Sequence, residues 1–410
     1  MQIISKLKYI LLLVVLLLPL LGVSKGLGFE QIKVFFFILS ITLMGFLWMG
    51  RGFKWSLISI ISSLFILILL ITSLLSLNIQ TSFLGSFPYF QGWILYSYLF
   101  LFYLMVKTFK IELKNYAIVL SVSALIVALL AVQDWILLNI FHQQVITYAG
   151  RVVSSFGQPN FYAGFLLLTL PFSYFLFKNS NKKLQILGWG SGMLSFIGIL
   201  LSYSRAAVLL GLGLLVFALT SQLRVKKILI IILFILLGSI FLSIKFSSGF
   251  VWQEFFQPAT VATPDLTQQS AESRVYIWPQ ALKIISQKPI LGYGLENINT
   301  SFSNYFLVNK HALFEENLHI VPILLSLRDL DIDRTHNYTL DLLLFSGILG
   351  LAAWIGVILL AFKKILQDKV SIENNILLVG LVTYLVWIQF QNQSVVHLVY
   401  FWLIVGLIDS

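Results

Sequence analysis

Cysteine is absent from all 410 residues, which rules out disulfides, thiolate metal sites and a cysteine nucleophile. Charge is scarce as well: only 10% of residues are charged, 16 acidic against 27 basic. With 59% apolar residues and a mean hydropathy of +0.94, a water-soluble fold could not hide its apolar surface in one core, so lipid is the solvent for most of the chain. A sequence repeat is lacking too, which weighs against transporters built from inverted repeats. Aromatics, by contrast, abound, with 35 Phe, 16 Tyr and 10 Trp; Tyr and Trp suit the headgroup level, where the ring is apolar and its polar tip stays wet. A formal charge of +11 would suggest nucleic acid in a soluble protein. Here the basic residues sit in short clusters between apolar runs, so they report topology, and no nucleic-acid partner is expected.

About 20 apolar residues cross a hydrocarbon core of roughly 30 Å. Runs of this kind fall at residues 7–23, 32–49, 55–77, 93–106, 116–138, 161–177, 184–201, 205–219, 228–244, 338–362, 376–390 and 395–408. They predict an all-α polytopic membrane protein with about twelve transmembrane helices. Lysine and arginine mark every second connection: Lys6 and Lys8; Arg51 and Lys54; Lys107, Lys110 and Lys114; Lys178, Lys182 and Lys183; Arg224, Lys226 and Lys227; Lys363, Lys364 and Lys369. The alternate short connections hold only Lys25, Lys33, Arg151 and Arg205. Because cytoplasmic loops carry the positive excess, both termini are expected in the cytoplasm. Lys6 and Lys8 ahead of the run 11–21 have the outline of a signal peptide, but no Ala-x-Ala-like cleavage site follows, and the run is taken as the first span. The expected organisation is spans one to nine in 1–244, a large extracytoplasmic loop in 245–335 and spans ten to twelve in 336–410. Within the loop, Val275, Ile277, Trp278, Leu282 and Ile285 suit a helix over 274–287 lying along the membrane surface, with Pro279 in its first turns or kinking it. A weaker amphipathic stretch follows at 305–314.

Several polar residues fall on the predicted outer side. Arg205, in Ser204-Arg205-Ala206-Ala207, sits in a connection too short to carry a guanidinium far into water; it either snorkels to the interface or binds an anion such as phosphate bidentately. Arg274 opens the loop helix, where it opposes the helix dipole unless an anion or Glu272 pairs with it. His336, at the start of the tenth span, is kept neutral by the same dipole and can accept a proton near neutral pH; the alternative is a structural histidine. Asp329, Asp331 and Asp333 form overlapping Asp-x-Asp patterns, which read as a solvated edge in preference to a cation site. Gly157-Gln158-Pro159-Asn160 reads as a turn with Asn160 as N-cap, and Arg151 just upstream is another outward cation. Gly292-Tyr293-Gly294 is most simply a turn. His142, His311, His319 and His397 have no ligand-like spacing.

Taken in order, these stretches resemble the O-antigen ligase and O-antigen polymerase superfamily of bacterial membrane glycosyltransferases. The matching segments are 157–163 (GQPNFYA), 204–207 (SRAA), 274–282 (RVYIWPQAL) with 289–294 (PILGYG), and 333–350 (DRTHNYTLDLLLFSGILG). The resemblance implies a GT-C-like fold in the bacterial cytoplasmic membrane. It implies transfer of a glycan from a polyprenyl (undecaprenyl) diphosphate carrier to an acceptor hydroxyl on the outer face, with inversion and without metal or cofactor. By the same resemblance Arg205 and Arg274 hold the diphosphate, and His336 deprotonates or orients the acceptor. Arg151, Asn160, Asp333, Arg334 and Asn337 take supporting roles. Such chemistry is physically coherent, because negative charge grows on the leaving oxygen and two guanidinium groups can stabilise it, while a base adds a smaller factor. The expected partners are the lipid-linked glycan donor, a glycan or glycolipid acceptor and membrane lipids. Ligation to a lipid-linked core sugar is expected ahead of polymerisation of repeat units and of transfer to a protein hydroxyl. A transporter or flippase of polyprenyl-linked glycans is the reading from another class.

Overall fold

The computed structural model describes residues 2–22, 28–48, 53–220, 271–308, 332–368 and 371–410, with side chains from Leu7 onward except at 217, 219 and 220 and, in the helix that opens at Ala271, from Ile277 onward. Where lipid replaces water, each backbone N–H and C=O must be satisfied within its own segment, and the apolar runs accordingly become helices. These are α1 (Gln2–Leu17), α2 (Phe29–Trp48), α3 (Leu57–Leu74), the short α4 (Ile79–Leu84), α5 (Trp93–Phe109), α6 (Leu113–Asn139), α7 (Pro159–Asn179), α8 (Lys182–Leu201), α9 (Arg205–Thr220), α10 (Ala271–Gln287), α11 (Ile298–Val308), α12 (Tyr338–Gln367), α13 (Ile372–Trp387) and α14 (Val395–Asp409). Between α6 and α7 a small antiparallel hairpin, β1 (Thr147–Tyr148) and β2 (Arg151–Val152), pairs Tyr148 with Arg151. The run 228–244 and the loop stretches 245–270 and 309–331 lie outside the described residues. Each other predicted run falls on one of these helices. Among the described residues, α2, α3, α6, α7, α8 and α12 are long and apolar enough to cross a membrane.

α7 lies at the centre, packed by α6, α8, α9, α13 and α14. Glycines let its neighbours approach: a Cβ on Gly164 would fall 2.5 Å from the Trp387 ring, and one on Gly188 2.5 Å from the Ser173 carbonyl. Such close approach is what holds helices together in lipid. Outward-facing positions are also apolar and recur at helical spacing, as with Leu57, Leu64, Leu67 and Leu74 on α3, or Ile186, Trp189, Met193 and Ile197 on α8. Those stripes face lipid.

The connections sort to two ends. At one, Asp409 bonds Lys107 (2.8 Å) and Lys364 (3.4 Å) and accepts from Tyr103 and Ser56 (2.5 Å each), which joins α5, α12, α14 and the start of α3. At the other, Gln91 donates to the Gln393 carbonyl (2.7 Å), Ser155 to the Pro19 carbonyl (2.7 Å), and the Val395 N–H to Glu30 (2.9 Å). Lys33, counted among the loop cations, is in fact on α2 and fully buried, bonding the Ser155 carbonyl at 2.7 Å over the Phe156 ring.

α12 is broken. Gly347 has φ 60° and ψ −162° inside the helix, and the freed backbone is paired by the PILGYG segment. The Leu344 and Phe345 carbonyls accept from Tyr293 and Gly294 (2.7 and 2.9 Å), while the N–H groups of Ile348 and Leu349 turn to the Pro289 and Ile290 carbonyls (2.8 and 3.4 Å). What reads as a turn is thus a splice into another helix. The loop helix also differs in detail from its expected face: Ile277, Ala281, Ile284 and Ile285 are buried on α10, whereas Leu282 is exposed.

Candidate functional site

The segment 332–337 packs against the bundle end, with Arg334, Thr335 and His336 buried. His336 has φ 59°, a left-handed backbone that costs a non-glycine residue about 1–2 kcal/mol and must be imposed by its neighbours. On one side, the Thr335 N–H and hydroxyl both donate to Asp341 Oδ1 (2.8 and 2.7 Å), and the Trp278 indole of α10 donates to the Thr335 carbonyl at 2.9 Å. On the other, Asn337 caps α12, its Oδ1 accepting from the Leu340 N–H at 3.1 Å. Position 274 lies one helical turn ahead of Trp278 on the same face; the Arg274 side chain itself is outside the described residues.

Arg334 is a buried strut. It forms an ion pair with Glu296, stands 4.4 Å from the Tyr89 ring centroid and 5.5 Å from that of Phe345, and donates to the Asp333 carbonyl at 2.8 Å. Burial alone would lower its pKa; Glu296, Asp341 and Tyr89 reverse this, and the group is held charged. Glu296 in turn accepts from the Ser86 hydroxyl at 2.7 Å. Asp333 reaches outward to two tyrosines. Burial first and then the Asp333 charge raise the pKa of Tyr89 and of Tyr148, with Arg151 opposing the rise at Tyr148. Asp333 thus lies within electrostatic range of Tyr148 on the β1–β2 hairpin.

Arg151, on that hairpin, is half-buried; burial lowers its pKa, and Tyr162 and Tyr148 oppose the change. Tyr162 of α7, within the GQPNFYA stretch, is within electrostatic range of Arg151 and of the turn at Ser202 and Tyr203 that leads into Arg205. That turn is stiff: Ser202 Oγ donates to the Ile199 carbonyl (2.6 Å) and accepts from the Ser204 N–H (3.0 Å). Arg205 opens α9 and is half-buried. Asn160 is not the N-cap. Gln158 holds that position, Pro159 is the first helical residue and Asn160 the second, because proline's fixed φ and missing N–H suit the helix start.

Residues 190–355 match the O-antigen ligase family model. Over that segment the chain is similar to the O-antigen ligase family. Within that region fall Arg205, Arg274, Glu296, His336 and Asp341; Arg151, Asn160 and Tyr162 precede it. Among relatives, a Rickettsia prowazekii protein named as a polysaccharide ligase is 29% identical over 134 residues, covering 30% of this chain and 29% of that protein. The ComP-specific O-oligosaccharyltransferase of Acinetobacter baylyi is 26% identical over 234 residues, 57% of this chain and 38% of that protein. The matches thus span well under half of these relatives' own lengths. Glu296, Asp341 and Tyr162 did not stand out in the sequence as individual residues. Their only signal in the sequence is position inside or beside the stretches that carry the resemblance. His397, fully buried, accepts the Ser394 N–H at Nδ1 (3.0 Å) and meets the Phe161 carbonyl through Nε2 (3.1 Å), so it pins α14 to α7.

Proposed function

We propose that this O-antigen ligase-like chain is a membrane glycosyltransferase that moves a glycan from a polyprenyl diphosphate carrier to an acceptor hydroxyl at the outer face of the cytoplasmic membrane. One observation carries most weight: His336 lies buried at the bundle end in a left-handed backbone held by the Thr335–Asp341 hydrogen bonds and by Trp278 of the helix that carries Arg274, with Asp333, Tyr148, Arg151 and Tyr162 each within electrostatic range of the next. In this reading the chain has about twelve spans, both termini lie in the cytoplasm, and the carrier's lipid tail enters sideways from the bilayer. The acceptor oxygen attacks the anomeric carbon with inversion. The bond from that carbon to the diphosphate oxygen breaks, its electron pair stays on the leaving oxygen, and the acceptor proton passes to His336. Arg205 and Arg274 supply positive charge to the leaving group, the role a divalent cation has elsewhere.

Transfer to a protein hydroxyl is a second reading, favoured by the similarity to the Acinetobacter oligosaccharyltransferase over 57% of this chain. Repeat-unit polymerisation uses the same donor chemistry. Transport would instead use ionisable groups at several depths of the spans. The test is reconstitution of the purified chain with a polyprenyl diphosphate glycan and, in parallel, a glycolipid, a second carrier-linked glycan and a peptide acceptor. Product with one acceptor class names the reaction, and His336→Ala is expected to lower the rate by about 10²–10⁴-fold. Full-rate transfer by His336→Ala would remove the proposed base. Flux of donor across the membrane without product would replace the transferase by a transporter.

A further inference from the structure

The connection between α13 and α14 is polar yet turned inward: Gln391, Asn392, Gln393 and Ser394 are all buried. It meets the start of α12 directly, where the Tyr338 N–H donates to the Ile388 carbonyl and the Thr339 hydroxyl to Gln389 Oε1, both at 2.9 Å. It also meets the connection that precedes α5. There Gln91 donates to the Gln393 carbonyl at 2.7 Å, and Asn392 Nδ2 donates to the Tyr89 hydroxyl at 2.9 Å. Tyr89 is buried, and the Arg334 guanidinium stands over its ring, 4.4 Å from the centroid. Contacts therefore run from Asn392 through Tyr89 to Arg334, two residues before His336.

Asn392 is an expensive residue for this place. Its Oδ1 is buried and has no hydrogen-bond partner among the described residues, and exchanging the two ends of the carboxamide would leave Nδ2 unpaired instead. A buried polar atom left unpaired costs at least as much as one neutral hydrogen bond returns, and a leucine of similar size avoids that cost. Asn392 thus adds little to folding. What its bond to Tyr89 does is fix the far end of the phenol and hence the tilt of the ring. The attraction of a guanidinium for an aromatic ring depends on which part of the ring faces it, so the tilt of Tyr89 governs where Arg334 rests.

We infer that Asn392 and Tyr89 are positioning residues for His336. Asn392 sets the Tyr89 ring, the ring sets Arg334, and Arg334 sets the backbone that presents the imidazole. The effect on rate rests on the transferase reading with His336 as base; the mechanical coupling does not.

The test uses the full chain in nanodiscs, with thermal unfolding, transfer kinetics and hydrogen–deuterium exchange of the peptide 332–337 measured for wild type, Asn392→Leu and Tyr89→Phe. The Thr335 N–H, held by Asp341, reports the coupling in that peptide. Asn392→Leu is expected to melt at or above the wild-type temperature, yet to speed exchange there about tenfold and to lower kcat about tenfold, the equivalent of one hydrogen bond, with KM for the donor little changed. Tyr89→Phe keeps the ring, loses the same bond and should match it in exchange and kcat. Unchanged exchange at 332–337 in both variants overturns the inference whatever the rate does. A lower melting temperature for Asn392→Leu with exchange raised evenly along the chain also overturns it, because Asn392 would then be a structural residue. If exchange at 332–337 rises selectively while the wild type glycosylates no acceptor, the coupling stands and the transferase reading falls.

Discussion

His336 is held in left-handed backbone by residues that lie outside its own turn, and Asp341 is the principal one, because a single carboxylate oxygen takes both the N–H and the hydroxyl of Thr335. Removing it in Asp341→Ala frees the backbone beside the proposed base. The expected outcome is a fall of about 10²-fold in kcat, typical of an ångström-scale misplacement, with little change in KM for donor; Asp341→Asn, which keeps an acceptor oxygen, should retain most of the rate. Equal losses in both variants would point to the charge itself. Glu296 acts on stability. Glu296→Ala leaves Arg334 buried without its partner and should cost about 3–5 kcal/mol, measured as a lowered unfolding midpoint in detergent, while Glu296→Leu with Arg334→Met should recover much of it. Neither acidic residue was legible in the sequence as a partner, since the Arg334 and Glu296 contact closes a loop of 38 residues, and spacing says nothing about such closure. His336 itself was legible, because a lone histidine in an Asp-Arg-Thr-His-Asn run at a helix start is a local pattern.

At the scale of elements, the splice of PILGYG into α12 is the least predictable feature. The run 338–362 reads as one uninterrupted apolar helix, and its helix breaker is a single glycine that could equally be a packing site. Once the segment is inserted, Gly347 is indispensable: its φ is 60° and a Cβ would fall 2.2 Å from the Ile290 carbonyl oxygen. Gly347→Ala should expel the segment, lower the unfolding midpoint by the equivalent of at least about 1–3 kcal/mol of backbone strain and reduce transfer together with it. Gly190→Ala, where a Cβ would meet nothing within 4 Å, is the control and should behave as wild type. Thermal unfolding and transfer assayed on the same preparations check both. Where an element depended on its own residues, the sequence was a reliable guide: α5, α9, α12 and α14 begin where the apolar runs begin, at Trp93, Arg205, Tyr338 and Val395. Asn160 was misplaced as a cap by two residues, because Pro159 claims the first helical position.

Across the whole molecule, connections expected on one side of the membrane gather at one end and are stitched by polar contacts, while Lys107, Lys364 and Asp409 close the other. The absence of cysteine makes sidedness directly measurable. With single substitutions Gln144→Cys and Lys183→Cys, both at exposed positions, a membrane-impermeant maleimide added to intact cells should label the first and spare the second until the membrane is opened. Labelling of Lys183→Cys alone would invert the proposed topology. By itself the sequence determined the solvent and the helical class, and it proposes a side for each connection, because hydropathy and lysine placement act locally and one segment at a time. Only the tertiary structure decided that Asp341 holds Thr335, that Arg334 is consumed by Glu296 and that α12 opens to admit another chain segment. Those contacts join residues far apart in sequence, and in a medium without water each exposed polar group must find whatever partner the packing brings to it.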